Sequence, residues 1–244
     1  MLLSLIIPMY NEDGIIANTC EQLITNSSFN KGLIEVIIVN DGSRDKSAEI
    51  VKKYCGGHFK LISYEKNRGK GFAVKTGVLE AHGDIIAYTD ADLAYGLDII
   101  NEAIKCLNEK NCDIVIGNRH LIPSSYNAYT LSRRAASKTF SFILNSILNI
   151  KISDTQCGIK VMKRKAAKDI FSHITTDGYA FDLEVLTLAK IKGYRIEEIP
   201  AVILKHEKSN VSLFRDSYRT LRDAIKIKNT LSKHNKSHMV WYNE

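Results

Sequence analysis

Asp90-Ala91-Asp92 is the segment of this chain best suited to chemistry. It follows an apolar run, Ile85-Ile86-Ala87-Tyr88. If extended geometry continues past that run, residues two apart face the same side, and two hard oxygen ligands converge at a strand end. Such a pair suits Mg2+ or Mn2+ bridging a diphosphate, with substrate oxygens and water completing the shell. Read alone, it could equally be two solvated loop aspartates. Two more polar segments follow apolar runs in the same way: Tyr10-Asn11-Glu12 and Asp41-Gly42-Ser43. Asp41 can accept a hydrogen bond from a nucleobase N–H; alternatively Asp-Gly is a turn, with Ser43 or Asp45 capping the next helix. Asn67-Arg68-Gly69-Lys70-Gly71-Phe72-Ala73 is a glycine-rich, basic entry to a helix. Its backbone N–H groups could meet phosphate or sugar oxygens, or it is a plain turn with a solvated lysine. It matches neither a P-loop nor a dinucleotide fingerprint.

These residues need a scaffold, and the pattern supplies one. Strands are predicted at Leu3–Pro8, Glu35–Val39, Phe59–Tyr64, Asp84–Tyr88 and Asp113–Ile116. Helices are predicted between them, at 14–25, 45–53, 71–81 and 97–107. β-branched apolar runs alternating with helices imply βαβ units and a mostly parallel sheet covered on both faces. In such α/β sheets ligands sit beyond the carboxyl ends of the strands, so the three polar segments belong on one rim. The second half reads as a long helix at 131–149, a polar turn at 154–158, a short strand at 159–162, helices at 164–171 and 181–191, an extended stretch at 196–204 and a basic helix at 214–228. No repeat or low-complexity linker divides the chain. It is expected to form one domain over 1–230, followed by a polar tail at 231–244.

Composition excludes little. Of 244 residues, 34 are Lys or Arg and 27 Asp or Glu, a net charge of +7, which favours phosphates, nucleic acid or an anionic surface as partners. The five cysteines include no Cys-x-x-Cys pair, which argues against a zinc site or disulfide framework and fits a reducing cytoplasm. No apolar run reaches the roughly 18 residues of a membrane span.

Taken in order, Ile6-Ile7-Pro8-Met9-Tyr10-Asn11-Glu12, Val39-Asn40-Asp41-Gly42-Ser43, Asn67-Arg68-Gly69-Lys70-Gly71 and Asp90-Ala91-Asp92 resemble the family 2 glycosyltransferases of the GT-A fold. Leu131-Ser132-Arg133, Asp154-Thr155-Gln156-Cys157-Gly158-Ile159-Lys160 and Tyr179-Ala180-Phe181-Asp182-Leu183-Glu184 resemble their dolichyl-phosphate β-glucosyltransferase branch. The resemblance implies an α/β GT-A fold, with residues 1–118 holding a nucleotide sugar and 119–230 holding the acceptor. It implies that Pro8, Tyr10, Glu12 and Asp41 hold the nucleoside, and that Asp90 and Asp92 hold Mg2+ or Mn2+ and the diphosphate with Lys70, Gly71 and Ala91 alongside. Arg119, Arg133 and Ser137 fall to the acceptor phosphate, and Asp154 falls near the acceptor, where it would orient Arg133 or the sugar. Asp92, Arg119 and Asp182 are the candidate catalytic residues. Two departures stand out: Ala94 replaces a glutamine common in mannose synthases, and a late glycine–serine–lysine element appears as Lys208-Ser209-Asn210.

The activity so implied is inverting transfer of a hexose, glucose from UDP-glucose being favoured, onto a polyprenyl phosphate. Three rivals stand beside it: a GDP-mannose-dependent synthase, a transferase acting on a soluble glycan, and a non-catalytic sugar-nucleotide sensor. A nucleic-acid-binding role finds no motif, and the basic residues are dispersed. A lipid acceptor places the enzyme on the cytoplasmic face of a membrane. Two stripes could touch that anionic surface: Phe140, Ile143, Leu144, Ile147 and Leu148, and Phe214, Tyr218, Leu221 and Ile225 flanked by basic residues. Either stripe could instead pack into the core.

Overall fold

The computed structural model describes residues 2–25, 34–122, 143–204 and 219–231. Seven strands form one sheet in the order β3-β2-β1-β4-β6-β5-β7. They are β1 (Leu3–Met9), β2 (Ile34–Asp41), β3 (Phe59–Tyr64), β4 (Ile85–Tyr88), β5 (Ile114–Asn118), β6 (Lys160–Lys163) and β7 (Ile196–Pro200). β1 pairs in parallel with β2 and β4, β2 with β3, and β5 with β7. β6 runs antiparallel between β4 and β5.

Both faces of the sheet are covered, as its continuous apolar strands require. Leu3, Leu5, Ile7 and Met9 of β1 pack with α1 (Ile16–Thr25), α2 (Ser47–Lys52) and α4 (Asp98–Glu109). On the other side, Ile6, Ile37, Val39 and Ile86 pack with α3 (Lys70–Glu80), α5 (143–148), α6 (Arg164–His173), α7 (Phe181–Ile191) and α8 (219–231). Leu144 and Leu148 are buried there, so that part of the first apolar stripe is core. Leu231, expected to open the tail, is buried at the end of α8.

Two predicted strand boundaries move with consequence, and the course of the chain after β4 differs from the expected extension. β2 runs through Asp41 rather than stopping at Val39. β6 begins at Lys160 rather than Ile159, and α7 spans Phe181–Ile191 as expected, which puts a lysine at the start of the strand and Asp182 in the first turn of the helix. β4 ends at Tyr88, so Asp90 and Asp92 are not extended; they lie in a turn closed by Leu93 N–H on Asp90 C=O (3.1 Å) and Ala94 N–H on Asp92 Oδ1 (3.0 Å). Both aspartates belong to one tight turn, with Leu93 at φ 49°, and not to an extended strand.

The amino ends of the strands carry a separate buried polar cluster. Glu35 accepts from Ser4 Oγ (2.6 Å), Lys60 Nζ (2.6 Å) and the His82 amide (2.8 Å), while Gly83 N–H donates to Ser4 Oγ (2.7 Å). Burial pushes the Glu35 carboxyl up, but these donors outweigh it and hold its pKa down at about 2. A depressed carboxyl contributes stability that is complete above its ordinary pKa and is lost as pH falls toward its folded value. Glu35→Gln should therefore lower stability at neutral pH and flatten the loss of unfolding free energy between about pH 4.5 and 2; urea titrations across that range measure both effects.

Candidate functional site

The carboxyl ends of β1 and β2 are laced together by side chains. Asn11 N–H donates to Ser43 Oγ (2.9 Å), Arg44 N–H to Asn11 Oδ1 (2.9 Å), Ser43 N–H to Asn40 Oδ1 (3.0 Å) and Glu12 N–H to Ser47 Oγ (2.8 Å). Tyr10 stays exposed on this rim and Pro8 is half-buried. Pro8 sits beyond the last β1–β4 pair, Ile6↔Tyr88, where a missing N–H costs no bond to β4.

Asp41, at the end of β2, does more than face a ligand. Its carboxylate accepts from Arg68 N–H (2.7 Å), Gly69 N–H (2.8 Å) and Asn67 Nδ2 (2.9 Å). The amides of Arg68 and Gly69, offered by the sequence as phosphate donors, are thus already bonded. The glycines serve packing instead. A Cβ on Gly71 would come within 2.5 Å of Thr176 O and 2.6 Å of Phe181 Cβ. Phe72 N–H also donates to Asp177 O (3.1 Å). Glu184, buried in α7, fixes that facing loop by accepting from Thr175 and Thr176 N–H (2.8–3.1 Å).

The aspartate turn is held from three sides. Thr19 Oγ1 of α1 donates to Ala91 C=O (2.5 Å). The Lys70 ammonium, at the first residue of α3, bonds Asp90 Oδ1. Asp90 Oδ2 lies so close to Gly158 that a Cβ there would stand 2.2 Å from it and push the carboxylate aside. Burial works against the Lys70 ammonium, but the charges of Asp90 and Asp182 outweigh it and raise its pKa.

Behind the turn lies a fully buried ion pair. Lys160 Nζ, 0% exposed, meets Asp182 Oδ1 at 2.6 Å and donates to Cys157 C=O at 2.9 Å. Tyr88 Oη donates to the same Asp182 oxygen at 2.7 Å. Beside it, Asp154 takes Arg119 in a bidentate pair, Nε and Nη2 both at 2.7 Å, and also accepts Arg119 N–H. Burial opposes charge on Asp154, but the Arg119 fork holds its carboxyl below the usual range.

The structure therefore gathers Pro8, Tyr10, Glu12, Asp41, Lys70, Gly71, Asp90, Ala91, Asp92, Arg119, Asp154 and Asp182 along the carboxyl rim or just behind it. Arg133 and Ser137 lie outside the described residues, as do Lys208, Ser209 and Asn210. Sequence reading gave no role to Tyr88, Lys160, Gly158 or Glu184. For Lys160 a signal existed: a lysine in the otherwise apolar run Ile159–Met162. Among the described residues no group of three or more His, Cys, Asp or Glu side chains gathers as a self-sufficient metal cage. The donor set at the turn is two carboxylates, already approached by one cation. That fits a hard divalent ion that takes its remaining ligands from phosphate and water.

With this geometry in hand, comparison places the chain. The Glycosyl transferase family 2 model matches residues 4–171. The chain belongs to that family. It is 32% identical to a dolichyl-phosphate beta-glucosyltransferase of Saccharomyces cerevisiae over 93% of this chain and 74% of the relative. The corresponding human protein is 31% identical, over 81% and 65%. Among solved structures, glucosyl-3-phosphoglycerate synthase from Mycobacterium tuberculosis, in complex with Mn2+, UDP-glucose and phosphoglyceric acid, superposes with a TM-score of 0.70 at 16% identity, over 93% of this chain and 80% of that one. A mannosyltransferase from Pyrobaculum calidifontis with GDP-mannose and Mn2+ gives 0.58 at 21%, over 90% and 60%. The family 2 enzyme has the GT-A fold, its mostly parallel sheet interrupted by one reversed strand.

In this family 2 chain the buried pair sets a testable energy. Lys160→Met leaves an uncompensated buried carboxylate and should cost about 3–5 kcal/mol of unfolding free energy. Adding Asp182→Asn should restore a large part of that loss, because the orphaned charge is removed. Denaturant titrations of the two single variants and the double variant form the cycle; strictly additive losses would mean the groups do not interact.

Proposed function

We propose that this enzyme transfers glucose from UDP-glucose to a dolichyl or other polyprenyl phosphate. The observation that carries the reading is the likeness to dolichyl-phosphate beta-glucosyltransferases across 93% of the chain. It continues past residue 171, where the family match ends, and takes in Phe181–Glu184. Residues 1–118 serve the donor and the second half the acceptor, within one domain.

Tyr10 and Glu12 flank the nucleoside. Asp41 keeps the Asn67–Gly69 turn in place beside it, so its effect on nucleotide affinity is exerted mostly through that turn. Asp90 and Asp92 hold Mg2+ or Mn2+, which, when bound, neutralises charge on the leaving diphosphate. Lys70 adds a third positive charge at the same place. The acceptor phosphate is mostly ionised at neutral pH, its second pKa being about 6, so no strong general base is needed. Its oxygen attacks the anomeric carbon opposite the departing diphosphate, and an α-linked donor gives a β-linked product. Arg119, fixed by Asp154, and Arg133 and Ser137 receive the acceptor phosphate. Asp182, tied to Lys160 and Tyr88, orients sugar or acceptor rather than taking a proton. Catalysis rests on positioning and charge neutralisation.

No helix among the described residues is long and apolar enough to cross a membrane, and a lipid acceptor calls for contact with its surface. α8 offers a face for it. Ala224, Ile227 and Leu231 are buried and the half-buried Leu221 packs against the same core, while Ile225 is exposed; Phe214 and Tyr218 lie outside the described residues. Ile225 is exposed beside Arg219, Arg222 and Lys226, a mixture that suits an anionic interface.

Incubation with Mn2+, UDP-glucose and dolichyl phosphate should yield a glucosylated lipid. EDTA or Asp92→Asn should lower the rate by about 100-fold or more. A product formed from GDP-mannose but not from UDP-glucose would favour the mannose synthase instead. In a separate assay, the protein should sediment with phosphatidylserine vesicles at low salt. Reversing charge at Arg219, Arg222 and Lys226 should release it; binding indifferent to both salt and these changes would remove α8 from the surface.

A further inference from the structure

The two oxygens of Asp90 are not equally available. Oδ2 is pressed against the Cα face of Gly158, with the Tyr95 ring at the same spot. Oδ1 carries the Lys70 ammonium. The Lys70 side chain is 18% exposed and that of Asp90 36%, so the pair sits at the edge of solvent rather than in the core. Lys70 is also the first residue of α3. A cation there faces the positive end of the helix dipole and needs an anion to hold it. Asp90 is that anion.

We propose that Lys70 is an internal counterion that occupies Asp90 until a donor diphosphate draws it away, so that divalent cation and nucleotide bind together and the metal does not bind first. This rests on the assignment of Asp90 and Asp92 to the metal. A cation arriving alone meets an Asp90 whose Oδ1 is already neutralised and whose Oδ2 faces Gly158. A diphosphate arriving with it supplies new acceptor oxygens within the arc of a flexible lysine side chain, and Lys70 moves from carboxylate to phosphate without leaving the site. The same residue thus opposes metal in the empty enzyme and favours donor in the loaded one. A lysine that only binds phosphate would not have the first effect, and a lysine that only stabilises the fold would have neither.

The test is direct binding rather than turnover. Free and bound Mn2+ are measured by electron paramagnetic resonance, with and without UDP, for the wild type, Lys70→Met, Lys70→Arg and Asp90→Asn. Lys70→Met removes a cation from a helix amino end, and Lys70→Gln serves as a second neutral variant should the first not fold. The wild type should bind Mn2+ weakly alone and at least tenfold more tightly with UDP. Lys70→Met should bind Mn2+ alone roughly tenfold more tightly than the wild type, yet bind UDP less tightly in saturating Mn2+. Lys70→Arg should behave like the wild type toward metal alone. Unchanged or weaker Mn2+ binding by the neutral variants, with Asp90→Asn still abolishing the UDP-dependent site, overturns the counterion role and leaves the metal assignment standing. UDP-dependent Mn2+ binding that survives Asp90→Asn instead overturns the metal assignment itself, and the counterion role with it.

Discussion

The buried contact between Lys160, Asp182 and Tyr88 is the constraint on which the rest of the site depends. A lysine ammonium with no exposed surface is tolerated only if its charge is matched and its protons are placed. Asp182 supplies the charge, and the Cys157 carbonyl takes a further bond. Because each partner comes from a different element, the match can be made in only one arrangement. Tyr88 ends the strand that leads to Asp90, Lys160 begins the strand that follows Gly158, and Asp182 lies in the first turn of α7. Satisfying the lysine therefore fixes the aspartate turn, its glycine wall and the amino end of α7 relative to one another.

The reversed strand explains how the second half of the chain reaches the site. Parallel strands deliver to the rim the residues at and just after their carboxyl ends, and Asp41, Glu12 and Asp90 arrive in that way. β6 runs the other way, so it delivers the residues that precede it: Asp154, Cys157 and Gly158. β6 lies between β4 and β5, which sets Asp154 beside Arg119, the residue directly after β5, and Gly158 beside Asp90. Donor-side and acceptor-side groups thus come to adjoin from chain segments about 35–70 residues apart.

Much of this was legible in the residues. Apolar, β-branched runs marked six of the seven strands, and Ile196–Leu204, read as an extended stretch, holds the seventh. Polar segments after them marked the rim, and the order of motifs identified a family that comparison then showed. What was misread has local causes. Asp90 and Asp92 were placed on an extended strand because alternation is the simplest way to converge two side chains; the chain turns there instead, and a turn leaves no periodic trace. The amides of Arg68 and Gly69 looked free for phosphate because nothing in a sequence records that a carboxylate 27 residues earlier will claim them. Whether the α8 stripe faces core or surface stayed open in the sequence; Leu221 packs toward the core with Ala224 and Ile227 while Ile225 is exposed, since the orientation of a helix about its axis is chosen by the surface it meets.

The sequence by itself determined the elements, the family and the kinds of groups at the rim, because those follow from local periodicity and from side-chain chemistry carried by each residue. Only the tertiary structure decided which groups are already spent on one another: Asp41 on the glycine turn, Arg119 on Asp154, Asp182 on Lys160, and Lys70 on Asp90. The physical reason is that hydrogen bonds and ion pairs are short-ranged and saturable. Whether a carboxylate is open to a ligand depends on what lies within about 3 Å of it, and the Tyr88 hydroxyl that occupies Asp182 comes from 94 residues away.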